Sequence, residues 1–197
     1  MKDLIILVAD KNTESALLGL LRRPDALGIR EVQFDIRVHP QRDPGVYRRA
    51  HEFLRPFIRQ YRYALVLLDR EGSGAERVGP DRMRSAVQER LERSGWEGRC
   101  SVIVLDPELE TWVWLDDPHV ARALRISLQD LRNLLREGKP PRPKETLEDL
   151  LKERRTPRSS SLYEDLASQV DFRKCADPAF RLLRETLQRW FGNAQNL

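Results

Sequence analysis

The chain reads as an α/β protein built on a mostly parallel four-stranded sheet with flanking helices, continued by an all-helical extension. Two observations lead there. Over the first 117 residues, short apolar runs alternate with amphipathic helical patterns, the order expected of strands joined by crossover helices. After Pro118 that alternation stops, and short helical patterns follow, divided by loops rich in Pro, Lys, Arg and Ser. The expected division is an α/β unit over 1–117 and a helical extension over 118–197 packed on it.

Residues 4–9 form the first apolar run, which lacks polar alternation as strands buried on both faces do. It leads into Asp10-Lys11-Asn12-Thr13-Glu14, where Thr13 is a candidate cap for a helix starting near Glu14 and stopping by Pro24. Residues 31–39 alternate apolar and polar side chains, which predicts a strand near the sheet edge. Residues 39–45, with two prolines and a glycine, read as a loop, and 46–61 as a helix disturbed by Pro56. Residues 63–68 are the central apolar run. It ends in Asp69-Arg70-Glu71-Gly72, and 72–80 reads as a loop. A helix over 81–93, with Asp81 as candidate cap, and a strand over 100–105 ending at Asp106 complete the unit. Beyond it, helical patterns cover 119–124, 128–136, 146–152, 162–170 and 178–190.

The charge balance bears on function. The 197 residues carry 35 basic and 31 acidic side chains, a net charge of only +4, with pI near 9.3. That permits a nucleic-acid partner without requiring one. The two cysteines stand far apart in no metal-binding spacing, so neither a disulfide framework nor a zinc site is expected. No apolar run approaches the ~20 residues of a membrane span. The expectation is a cytosolic protein with no membrane partner.

Parallel strands with crossovers of one hand bring all strand ends to one edge, where α/β sheets place their ligands. Asp10, Asp69, Glu71 and Asp106 would collect there. In extended chain Asp69 and Glu71 share a side, and paired carboxylates ask for a proton or a cation between them. The candidate ligand set is Asp10, Glu14, Asp69, Glu71, Glu108 and Glu110, with Asp10, Asp69 and Glu71 as the catalytic core. Oxygen ligands of this kind suit Mg²⁺ or Mn²⁺, which activates water or steadies a leaving oxygen in phosphodiester chemistry. Glu108 and Glu110 cannot both point inward from a regular helix, so either that stretch is extended or only one serves. Lys11, His39 and Arg70 are weaker candidates for substrate contact. Glu14 and Glu108 also suit the first turn of a helix for dipole reasons alone. Trp112 and Trp114 read as core.

The three acidic stations resemble the Toprim pattern, an acid after the first strand and D-x-D after a later one. More closely, the chain is similar to a Toprim-related bacterial family of unknown function whose members read about E-G-x-T-E, D-x-D-G and P-E-x-E-x-W. Here the stations are Asp10-Lys11-Asn12-Thr13-Glu14, Asp69-Arg70-Glu71-Gly72 and Pro107-Glu108-Leu109-Glu110-Thr111-Trp112. Asp10 stands for a glutamate, Lys11 for a glycine, and Glu71 for an aspartate. The resemblance implies a Toprim-like, Rossmann-related fold binding Mg²⁺. It also implies a place in anti-phage defence loci beside ATPase or methyltransferase subunits, with nucleic acid as a partner. Two functional expectations follow: a Mg²⁺-dependent nuclease or nuclease-like component of a defence system, or a catalytically inactive partner subunit that keeps the fold as a scaffold.

Overall fold

The structure, a computed structural model, describes residues 1–192 of the chain. Its centre is a four-stranded, all-parallel sheet in the order β2-β1-β3-β4, made of β1 (Lys2–Val8), β2 (Phe34–Val38), β3 (Tyr61–Asp69) and β4 (Cys100–Leu105). The three apolar runs became the strands that are buried almost throughout, and the alternating run became the half-buried edge strand β2. In register, Leu4 lies beside Phe34 and Tyr63, and Ala64 beside Cys100.

The helices cover both faces. α1 (Lys11–Leu21) returns the chain from β1 to β2, with the one-turn α2 (Pro24–Leu27) after it. α3 (Arg42–Leu54) joins β2 to β3, and α4 (Pro80–Leu91) joins β3 to β4. α3 and α4 pack on the face bearing Ile5, Leu7, Val66 and Val102. α1 packs on the face bearing Leu4, Ile6, Leu65 and Ile103. Strand order reverses between β1 and β3, so crossovers of one hand put their helices on opposite faces. The reversal leaves a crevice between the ends of β1 and β3.

The C-terminal half is α5 (Pro118–Ala123), α6 (Leu128–Leu134), α7 (Pro143–Glu153), α8 (Ser160–Gln169) and α9 (Pro178–Phe191). It is helical as its sequence pattern requires, and it completes the α1 face of the sheet. Leu183, Leu187 and Phe191 of α9 share one core with Leu65 and Ile103, and Trp190 stacks on Tyr63 at 4.6 Å. α8 lies along α1, close enough that a Cβ on Gly19 would stand 2.5 Å from the Glu164 carbonyl oxygen.

Several boundaries differ from those the sequence suggests. The N-cap of α1 is Asp10, not Thr13, whose N–H and Oγ1 donate to Asp10 Oδ1 at 2.8 and 2.9 Å. α3 begins at Arg42, because Pro44 falls in the first turn, where a missing N–H costs nothing. It gives way at Arg55–Phe57 to a 3₁₀ turn containing Pro56. α4 is capped from Gly79 with Pro80 as its first residue, so Asp81 is not the cap. Among the described residues no helix is long and apolar enough to cross a membrane.

A candidate metal centre at the strand ends

Asp69 is the last residue of β3, beside the crevice. Its backbone N–H donates to Asp43 Oδ1 at 2.7 Å, and its own Oδ1 accepts the Leu109 N–H at 3.0 Å. These two bonds tie β3 to the first turn of α3 and to the segment after β4. That segment resolves the question of Glu108 and Glu110. Glu108 is extended (φ −163°, ψ 170°) and Glu110 sits in the 3₁₀ turn Leu109–Trp112, so the regular-helix argument does not apply and both carboxylates turn inward. Carboxylate oxygens of Asp69, Glu108 and Glu110 all lie within 4.8 Å of one another, and Glu108 and Glu110 are buried. An octahedral Mg²⁺ with ligands at about 2.1 Å spans opposite oxygens about 4.2 Å apart. The triad therefore could hold a divalent cation after a small closure.

Its electrostatics are those of crowded acids. Burial, and then the carboxylates of Asp43, Glu110, Asp10 and Glu108, push the Asp69 carboxyl well above the usual range. Burial pushes Asp43 up to about 6, with Asp10 adding to it. Burial and Glu110 raise Glu108, while the Lys144 N–H, donating to Glu108 Oε1 at 3.0 Å, opposes the rise. Glu110 has its own countercharge. Its Oε1 accepts from Arg158 Nη2 and from the Tyr163 hydroxyl, each at 2.5 Å, and Arg158 Nε donates to the same hydroxyl at 2.8 Å. A cation bound among these oxygens would relieve the repulsion that burial magnifies.

Between the ends of β1 and β2 lies a cleft of about 400 Å³ whose lining includes Asp10, Asn12, His39, Arg42, Lys144 and Arg158. A second cleft of about 340 Å³ shares Asn12 and Arg158 and runs past Lys152 and Thr156. Lys144 and Arg158 connect the lining of the first cleft to the triad, through the Lys144 N–H on Glu108 and the Arg158 guanidinium on Glu110. A void of about 40 Å³ enclosed by apolar side chains such as Leu20, Trp112 and Leu166 belongs to the core and carries no chemistry.

The residues singled out from sequence part company here. Asp69, Glu108 and Glu110 come together. Asp10 contributes to the field at Asp69 but spends Oδ1 on the α1 cap. Glu14 faces Lys11 at 2.5 Å on the first turn of α1, outside the triad. Glu71 is exposed, because β3 stops at Asp69 and a turn through Gly72 (φ 78°) follows, so the two-residue spacing no longer places both acids on one side. Arg70 leaves the cleft, pairing with Asp106 at 2.6 Å and donating to the Glu76 carbonyl. His39 is buried and lines the cleft. Trp114 is core, as expected, and Trp112 is half-buried against it.

Sequence reasoning passed over Asp43, Lys144 and Tyr163, and read Arg158 only as part of a basic, solvated linker between helices. Asp43 stood in an apparent loop, and its one signal was its position just beyond a strand, shared with Asp10 and Asp69. Arg158 and Tyr163 reach the site from more than 45 residues away in sequence, which no local pattern reports. Compared with protein-family models, with curated proteins and with solved structures, the chain matches none.

Proposed function

We propose that the protein performs Mg²⁺- or Mn²⁺-dependent phosphodiester chemistry, as a Toprim-like nuclease or nuclease-like component of a bacterial anti-phage defence system. The observation that carries the chemical part is the convergence of Asp69, Glu108 and Glu110, joined through Lys144 and Arg158 to a cleft with a cationic rim. The acids suit a hard cation, and the rim suits the phosphates of a nucleic acid. The defence setting, with ATPase or methyltransferase subunits as neighbours, rests on the resemblance of the three acidic stations.

In this reading the triad holds the metal, whose chemistry is to activate water and to offset charge on the leaving oxygen. Asp43 and Asp10 add negative charge behind the triad, and Lys144 and Arg42 draw the anionic substrate into the cleft. The test is calorimetric titration of Mg²⁺ and Mn²⁺ into the protein and its Asp69→Asn variant, followed by cleavage assays on single- and double-stranded DNA and RNA. Saturable binding by the native protein, weakened at least about tenfold in the variant, is the expected result. Absence of binding by the native protein, even with nucleic acid present, sinks the metal-enzyme reading.

One observation favours a second reading. Arg158 and Tyr163 already occupy one oxygen of Glu110, so the site carries a built-in organic cation. A scaffold subunit of a defence complex, with an acidic pocket neutralised from within, would have this feature. It would bind no metal in the titration.

A further inference from the structure

His39 follows β2 at the rim of the cleft, and only 5% of its surface is exposed. Its backbone N–H donates to the Val8 carbonyl at 2.9 Å, fixing it beside the end of β1. The ring is also fixed. Nδ1 accepts the Gln41 N–H at 3.1 Å, and the Phe53 ring packs at 5.2 Å. The backbone of Gly45 closes the Nδ1–Cε1 edge, where a Cβ would stand 2.2 and 2.3 Å from those atoms. A ring nitrogen that accepts a hydrogen bond carries no proton, so in the neutral ring the proton is on Nε2. Burial, and the charge of Arg49, lower the His39 pKa, which keeps the ring neutral. Nε2–H has no hydrogen-bond partner among the described residues and is not sealed from solvent, so it is free to donate to a ligand in the cleft that the ring lines.

The cleft that His39 lines has matching surroundings. Lys11 is paired with Glu14, and Arg158 with Glu110 and Glu148. Among the described residues Arg42 and Lys144 form no ion pair, and both line this cleft. Arg42 opens α3 with φ 49°, a left-handed conformation costly for a side-chain-bearing residue and of the kind that gathers at functional sites. The one carboxylate in the lining, Asp10, has Oδ1 turned onto Thr13.

We propose that the cleft between the ends of β1 and β2 is a binding subsite for a phosphate group, in which His39 donates its Nε2–H to a phosphate oxygen while Arg42 and Lys144 supply the charge. The subsite deepens the phosphodiester reading, on which it rests for the ester the phosphate belongs to. It assigns His39 to substrate binding as a neutral donor and not to metal ligation.

The experiment is long-range ¹H–¹⁵N NMR of the histidine rings in the full chain. With only three histidines, the His39 signals are assigned by the one set that His39→Gln removes. At pH 7.5 His39 is expected in the Nε2–H form. Inorganic phosphate, added without divalent cation, should shift Nε2 saturably and leave Nδ1 nearly still, and chloride at equal ionic strength should not. Arg42→Ala and Lys144→Ala should each weaken the phosphate response about tenfold, the scale of one lost charge-assisted contact. An Nδ1–H form, an Nε2 signal unmoved by phosphate, or a response equal in Lys144→Ala overturns the subsite. The two readings separate on one sample. A response to phosphate but no binding of Mg²⁺ keeps the subsite and removes the metal; binding of Mg²⁺ with no response to phosphate does the reverse.

Discussion

At Asp43 and Asp69 two carboxylates approach through a backbone bond, and the cost of that approach is readable in pH. The Asp43 carboxyl rises from 3.8 to about 6, chiefly by burial. A carboxyl with a raised folded pKa holds its proton longer in the folded state than in the unfolded one. Stability therefore falls as pH rises from about 4 to 6, and the cost is complete above that window. Two units correspond to about 3 kcal/mol. Asp43→Asn keeps the acceptor for the Asp69 N–H and removes the charge. Urea unfolding should show it more stable than the native protein by about 1–3 kcal/mol at pH 8, and equal to it at pH 3.5; equal stability at both pH values would refute the electrostatic account. Tyr163→Phe tests the other side of the site. Loss of the hydroxyl that donates to buried Glu110 should cost about 1–2 kcal/mol in the same measurement, and a neutral result would mean that Arg158 alone satisfies the carboxylate. Asp69, Glu108 and Glu110 were legible in the sequence, because each follows an apolar run closely enough to be placed at a strand end. Glu71 was misleading because the extended-chain spacing argument lapses where the strand stops.

Between elements, the tightest junction is α1 against α8, where Gly19 takes the place a side chain would need. A Cβ there would lie 2.5 Å from the Glu164 carbonyl and 2.8 Å from the Ala167 Cβ. Alanine favours an isolated helix over glycine by about 1 kcal/mol. Here overpacking should win, so Gly19→Ala is expected to destabilise by about 1–3 kcal/mol and lower the melting temperature. A variant as stable as the parent would show that α8 can move off α1 freely. The pairing is also held by Arg22 with Glu164 and by Arg23, which donates to the carbonyls of Ala167 and Val170. Strands and helices were visible in the apolar periodicity, including the edge position of β2. Helix starts were not, because Pro44 and Gly45 look like loop residues until the helix direction is known. The choice of Asp10 over Thr13 as cap likewise depends on where the chain leaves β1.

The whole molecule has two cores, one on each face of the sheet, and the division at residue 117 cuts one of them. The core on the α1 face takes Leu4, Ile6 and Leu65 from the first part of the chain and Leu147, Leu166, Phe180 and Leu187 from the second. A fragment of residues 1–117 would expose a sheet face of fully buried Leu and Ile side chains, each worth about 1.5–3 kcal/mol when buried. Such a fragment is expected to lack a cooperative unfolding transition and to bind hydrophobic dyes, by near-ultraviolet circular dichroism and dye fluorescence. A sharply melting fragment would make the helical half a true appendage. The sequence announced that this half is helical. It could not announce that the half finishes the core, since both halves carry ordinary amphipathic stripes and only their meeting shows which face each was meant for.

The reach of Arg158 into the acids has a consequence for how the molecule is made. The acidic residues are all synthesised by residue 110, whereas their organic counter-ion and its Tyr163 partner follow about fifty residues later. A nascent or clipped chain ending in between carries the repelling carboxylates without the group that balances them. The acids thus gain their organic counter-ion only after residue 158 has been added, late in synthesis.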